Sequence, residues 1–259
     1  MTAMLEVKGL VKHFGGVQAV KGVDLQVAAG ECVALIGPNG AGKTTSFACI
    51  AGQHVPSAGS IHWAGQRLDG LSPTQRLRAG VGRSFQVAQN FEALTVLQNL
   101  QLLMQAGRGL SAFDVLDQRH APEAAALLER VGLAPLAHAE AAGLPYGAKK
   151  RLELAMALAS QPGLLLLDEP AAGLAQAERA DLMRLILSLA HPAEGQGIAV
   201  LYTEHNMDAV FGLADRVLVL IDGKLAAQGT PEQVAADPQV RSRYLGLSFA
   251  APVLEAPHA

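Results

Sequence analysis

Two apolar runs, "LLLLDE" from Leu164 and "IAVLYTE" from Ile198, end abruptly in carboxylates and show no alternation of polar and apolar positions. Unalternating runs of this length are the pattern of strands covered on both faces, as in a parallel sheet. Between them "AQAERADLMRLILSLA" repeats its apolar residues at helical spacing, so the three segments form a βαβ unit. The first third instead strings short strand-like runs between turns: "LEVKGL", "VDLQV", "ECVALIG" leading into glycines, and "GSIHWAGQRL", which reads as a hairpin. From about Thr95 to Ser160 the period becomes helical, in "TVLQNLQLLMQA", "APEAAALLERVGL" and a helix expected from about Gly147 with an apolar stripe of Leu152, Ala155, Met156 and Ala159. The chain closes with a hairpin, "RVLVLIDGKLAAQG", and with "TPEQVAADPQVRSRYL", read as one helix capped by Thr230 with Pro231 at its first position. The order predicts an α/β protein: an N-terminal antiparallel β-subdomain, a mixed or parallel central sheet, and an α-helical subdomain inserted at about residues 88–160. One domain would span 1–246, and the Ala/Pro-rich tail 247–259 is expected to be loose.

Composition narrows this picture without changing it. Half of the 259 residues are hydrophobic but only 4% are aromatic, so the core is built from Ala, Leu and Val, which suits helices packed on a parallel sheet. A net charge of -3 argues against a broad nucleic-acid surface. Cys32 and Cys49 are spaced too far apart for a zinc knuckle and read as buried thiols of a reducing compartment. No secretory signal is visible, and no eighteen apolar residues run without a charge, so any membrane role is expected from the cytoplasmic side.

Chemistry enters at "GPNGAGKTT", Gly37 to Thr45, a full match to the phosphate-binding loop placed between the strand "VALI" and the helix "TTSFACIAG". Gly37, Gly40 and Gly42 let the backbone curl, so that N–H groups along Gly37, Pro38, Asn39, Gly40, Ala41 and Gly42, Pro38 excepted, can converge on a β-phosphate. Lys43 then sets a charge between β- and γ-phosphates, the Thr44 hydroxyl has the length to take a position on Mg²⁺, and Thr45 reaches the α-phosphate. Asp168 and Glu169 end a buried strand, where an open α/β sheet presents residues to ligands. Asp168 is expected to hold Mg²⁺ through its water shell, and Glu169 to orient the attacking water. His205 ends another buried strand and suits a γ-phosphate; Phe14 can stack on an adenine. Singly, His205, Gln86 and Phe14 carry little weight, since such residues are more often structural.

A different oddity lies in "LPYGAKKRLELAMAL". Lys149, Lys150 and Arg151 crowd the first turn of a helix, the positive end of its dipole. They are either a solvated surface with Lys149 paired to Glu153, or a terminus that meets an anion from outside the chain.

The fixed order of aromatic, phosphate loop, Gln86, helical insert, "LPYGA", Asp-Glu pair and His205 resembles the ATP-binding cassette (ABC) family over about Leu5 to Leu245. The resemblance implies a P-loop NTPase core that binds ATP and Mg²⁺ and hydrolyses the nucleotide. It assigns Phe14 to the adenine, 37–45 to the Walker A loop, and Gln86 to the link between nucleotide, metal and a transmembrane partner. It makes Leu144 to Ala148 the signature segment, Asp168 and Glu169 the Walker B pair, and His205 the switch histidine. Lys43, Gln86, Glu169 and His205 are then the catalytic candidates, with Thr44, Gln86 and Asp168 on the metal. In this family two cassettes close head to tail, so Leu144, Tyr146, Gly147 and Lys149 would face a nucleotide held by a second ATPase subunit.

Two departures bear on that partner. The usual Leu-Ser-Gly-Gly-Gln signature is here Leu144-Pro145-Tyr146-Gly147-Ala148, and Pro145 supplies neither hydroxyl nor N–H. Each lost hydrogen bond to a charged group costs roughly 1.5–3 kcal/mol. Ala175 stands where the family usually has Asn or Asp. A homodimer would carry both weak points twice, so pairing with a different ATPase subunit is expected. "FGGVQAVKGVDLQV", "DEPAAGL" and "GTPEQVAADPQVRSRYLG" resemble the branched-chain amino-acid importer type, which implies two permease subunits and, indirectly, a solute-binding protein. Importers of urea, amides or aromatic acids share these phrases. A cassette acting on ribosomes or DNA usually carries two cassettes or long basic inserts, and a small-molecule P-loop kinase would need a lid and an acceptor site.

Overall fold

In the computed structural model, which describes residues 3–84, 90–107, 120–193 and 195–246, β3 (Cys32–Ile36) lies within a six-stranded sheet. That sheet has the order β10-β9-β3-β8-β7-β6. Its other strands are β6 (Val81–Arg83), β7 (Leu164–Asp168), β8 (Ala199–Thr203), β9 (Arg216–Ile221) and β10 (Lys224–Gly229). All pairs are parallel except β9 with β10. Both faces are covered, which is why the runs do not alternate. Cys32, Ala34, Ile36, Leu165, Leu167, Val200 and Tyr202 join an apolar cluster on the side of the later helices. Val33, Leu35, Leu164, Leu166, Ala199 and Leu201 join another with α1 (Lys43–Ile50) and the N-terminal strands.

The N-terminal strands form a separate antiparallel sheet of order β2-β1-β4-β5, from β1 (Ala3–Phe14), β2 (Val17–Ala28), β4 (Ala58–Trp63) and β5 (Gln66–Arg67). β1 and β2 are longer than their sequence runs. The closing hairpin is as expected, turning on Asp222 (φ 51°) and Gly223 (φ 80°), the pair of positive φ values a tight hairpin demands.

Between β6 and β7 the chain supplies α3 (Val96–Gly107), α4 (Ala121–Arg130) and α5 (Tyr146–Leu158), whose buried residues belong to the same cluster as the underside of the central sheet. α6 (Gln176–Ala190) completes the βαβ unit between β7 and β8. Short elements escape the sequence reading: β6, α2 (Pro73–Arg78), whose Ser72 and Gln75 form a reciprocal capping box, and α7 (Met207–Phe211), capped by Asn206. The last expected helix is corrected. Thr230 does cap α8 (Pro231–Ala236), but Pro238 ends it, and Asp237 caps a second short turn, α9 (Pro238–Val240), continued at 241–245. The tail 247–259 lies outside the described residues, as do residues 108–119 before α4.

Arg76 has no precedent in the sequence pattern. It is only 2% exposed, and its guanidinium donates to the carbonyls of Cys49 (2.7 Å), Ile50 and Leu71 (3.2 Å). It therefore satisfies the C-terminal carbonyls of α1 with a cation, where the helix dipole favours one. Arg76→Met keeps much of the volume but strips the Ile50 and Leu71 carbonyls of this donor and leaves Cys49 O only its backbone partner, the Gly52 N–H, and is expected to cost about 3 kcal/mol. The check is a urea titration, with the midpoint lowered at unchanged slope.

Candidate active site

The carboxyl ends of β3, β7 and β8 open on one edge of the sheet, and each delivers a piece of the expected site. The loop after β3 needs its glycines. At Gly37 (φ 145°) a Cβ would overlap the Leu220 carbonyl, and at Gly42 (φ 95°) it would lie 2.6 Å from Ala19 O. The loop is thus wedged between β2 and the β9–β10 hairpin, whose Gly223 N–H donates to Ala41 O. Lys43 is buried, its Nζ donating to Gly37 O (2.6 Å) and Pro38 O (3.0 Å). Burial pushes its pKa down, opposed by the carboxylates of Glu169 and Asp168. Thr44 is exposed and Thr45 half-buried at the first turn of α1, which has no acidic residue there.

Asp168 is 4% exposed. Its Oδ1 accepts from the Thr203 hydroxyl (2.7 Å), while Oδ2 is buried without a hydrogen-bond partner and lies 3.9 Å from Arg83 Nη2. Arg83 itself is shifted down by burial, with Asp168 opposing. Glu169 leaves the strand with φ 49°, a conformation costing of order 1–3 kcal/mol in a residue with a side chain. Its N–H donates to Thr203, and its Oε1 lies 2.8 Å from His205 Nε2. His205 is in turn held at its N–H by Glu204 Oε2, and that carboxylate also takes Asn206 N–H. The residues fit a Mg-bound triphosphate: a cradle that side chains would fill, a buried lysine at its mouth, and an acidic oxygen without a hydrogen bond. Among the described residues, Thr44 and Asp168 would hold the metal; Gln86, the third expected metal residue, lies outside them.

The signature segment begins α5 at Tyr146, one residue earlier than expected, with Pro145 as an N-cap that makes no side-chain bond. The first-turn N–H groups have no intrahelical acceptor. Leu144 is buried in the core and anchors the segment. Tyr146 is exposed, its hydroxyl donating to Ala172 O (3.2 Å), its ring over Gly173, where a Cβ would sit 3.1 Å from the ring. Gly147 faces Glu178 so closely that a Cβ would meet its Oε1 at 2.7 Å. The expected Lys149–Glu153 pair is corrected: Glu153 is held by Lys150, at 3.1 Å, because Lys150 turns inward beneath the Tyr146 ring. Arg151 donates to Val131 O. Of the three cations, Lys149 alone has no hydrogen bond or ion pair among the described residues.

Phe14 projects, exposed, from the β1–β2 turn, edge-on to His54 (5.2 Å between centroids) with Lys12 Nζ 5.1 Å from its centroid. Gln86 lies outside the described residues. The sequence reading missed Thr203, Arg83 and Glu204. Polar residues closing an apolar strand, as in "LYTE", were the available signal.

A phosphate loop after a central parallel strand, with an Asp-Glu pair and a histidine at neighbouring strand ends, defines a P-loop nucleoside triphosphatase cassette. Residues 20–172 match the family model described as ABC transporter. The chain belongs to the ABC transporter ATP-binding family and is an ATPase of that family. It is 41% identical over 252 residues to the high-affinity branched-chain amino acid transport ATP-binding protein LivG of Escherichia coli (strain K12), covering 94% of this chain and 98% of that protein. It is 40% identical to BraF of Pseudomonas aeruginosa, with the same coverage. Among solved structures, the ADP conformation of an ATP-binding cassette from an ABC transporter superposes with TM-score 0.84 at 28% identity, covering 95% of this chain and 100% of that one.

Proposed function

We propose that this chain is the ATP-hydrolysing subunit of an importer of branched-chain amino acids, working at the cytoplasmic face of the membrane with a different ATPase subunit and two permeases. The observation that carries the reading is the meeting of Lys43, Asp168, Glu169 and His205 at one sheet edge, in a chain 41% identical to LivG. No helix among the described residues is long and apolar enough to cross a membrane.

In this reading the 37–45 loop and Lys43 bind the triphosphate, while Thr44 and Asp168 hold Mg²⁺, which neutralises phosphate charge when bound. Glu169 orients the attacking water, and His205, fixed on Glu169, contacts the γ-phosphate. Phe14 supplies the adenine platform. Gln86 relays the state of the site to the permeases. Tyr146, Gly147 and Lys149, on a segment anchored by Leu144, face the partner's nucleotide.

The pairing with an unlike subunit draws support from two uncapped termini. Pro145 caps α5 without a side-chain bond, and Ala175 does the same for α6, so both segments expected at the interface lack the polar groups the family usually places there. The missing contacts predict that the solitary chain turns ATP over roughly 10- to 150-fold more slowly than the complex with its partner. Steady-state phosphate release with and without the second subunit measures this; full activity alone would remove the case for an unlike partner. Solutes that accelerate turnover of the reconstituted transporter, with its binding protein, identify the cargo.

A further inference from the structure

Thr203 closes β8 directly opposite Asp168 in the parallel register of β7 and β8. Alternation along both strands places the two side chains on the sheet face covered by α1. The Thr203 side chain is 1% exposed, and its single hydroxyl is used twice. It donates to Asp168 Oδ1 at 2.7 Å and accepts the Glu169 N–H at 3.0 Å, an N–H that the Thr203 carbonyl also takes at 3.2 Å.

The hydroxyl can do both because it has one proton and free lone pairs. Its proton fixes which Asp168 oxygen is spent inside the protein, so that Oδ2 is the one left without a hydrogen bond. Its lone pair helps hold Glu169 at φ 49°, the backbone conformation from which the carboxylate reaches His205 at 2.8 Å. Valine or isoleucine would fill the same space in this apolar strand and do neither.

We propose that Thr203 is a positioning residue for ATP hydrolysis, its hydroxyl orienting Asp168 toward the metal and Glu169 toward the water. The proposal rests on the roles given above to those two carboxylates. Supporting partners of this kind typically change metal affinity or activity by about 10- to 100-fold when removed.

The test uses the purified full chain and a fluorescent ATP analogue, titrated with and without Mg²⁺. Thr203→Val is expected to reduce the gain in affinity on adding Mg²⁺ by about tenfold or more, leave metal-free affinity within about threefold, and lower kcat without a matching rise in KM. Thr203→Ser, which keeps the hydroxyl, is expected to restore the gain. Asp168→Asn serves as the control. If Asp168→Asn removes the gain and Thr203→Val does not, the positioning role is overturned while the site stands; if neither does, the metal assignment fails and the proposal falls with it. A Ser variant as impaired as Val also overturns it, since packing of the methyl group would then be the cause. Should Thr203→Val not fold, the folded Ser variant decides, with retention of the gain supporting the proposal and its loss refuting it.

Discussion

Lys43→Ala is expected to weaken ATP binding by at least about 100-fold and to abolish turnover while leaving the fold intact. Truncating one member of a buried, hydrogen-bonded charge pair costs about 2–5 kcal/mol or more, and every 1.4 kcal/mol is tenfold. The stability of the chain should not follow, because burial already disfavours the Lys43 charge and, among the described residues, its ammonium bonds only to the loop carbonyls of Gly37 and Pro38. Isothermal titration of nucleotide alongside thermal melting separates the two effects. Hydrolysis that survived unchanged would show that the 37–45 loop is not the phosphate site.

Glu169→Gln is expected to lower kcat by roughly 10²–10⁴-fold, the range associated with a positioned acid or base. Binding should persist. The amide oxygen of Gln can still meet His205 Nε2, which now lies 2.8 Å from the carboxylate, so the loss falls on activation of water rather than on the local hydrogen bond. A closed pair of subunits held together by unhydrolysed ATP should accumulate, visible by size-exclusion chromatography. Free exchange of subunits in ATP would count against the catalytic role of Glu169.

Much of the architecture was written in local patterns. The apolar runs ending at Asp168 and Glu204 were legible because strands covered on both faces cannot alternate. The phosphate loop was legible because Gly37 and Gly42 occupy conformations and spaces closed to other residues. What the sequence withheld was register. Nothing local says that Thr203 stands opposite Asp168, or that Arg83 comes within 3.9 Å of it, since both depend on how strands far apart in the chain align. The same holds for Lys150. Three adjacent cations look alike in a string, but helix geometry turns one beneath Tyr146 onto Glu153 and another to the Val131 carbonyl. The continuous C-terminal helix failed for a local reason: Pro238 keeps Asp237 extended, so the helix that Thr230 caps stops at Ala236.

The chain has only two cysteines, and both lie inside the central layers: Cys32 is 1% exposed and Cys49 0%. Burial, with help from Asp215 and Glu31, pushes the Cys32 thiol up to about 12, and burial raises that of Cys49 as well. Neither can offer much thiolate to an alkylating reagent at neutral pH. The native protein is therefore already a silent background for site-directed labelling. A cysteine introduced at an exposed position would carry a spin label or fluorophore alone, and distances across the working transporter could be followed without first stripping the wild-type chain of its own sulfur.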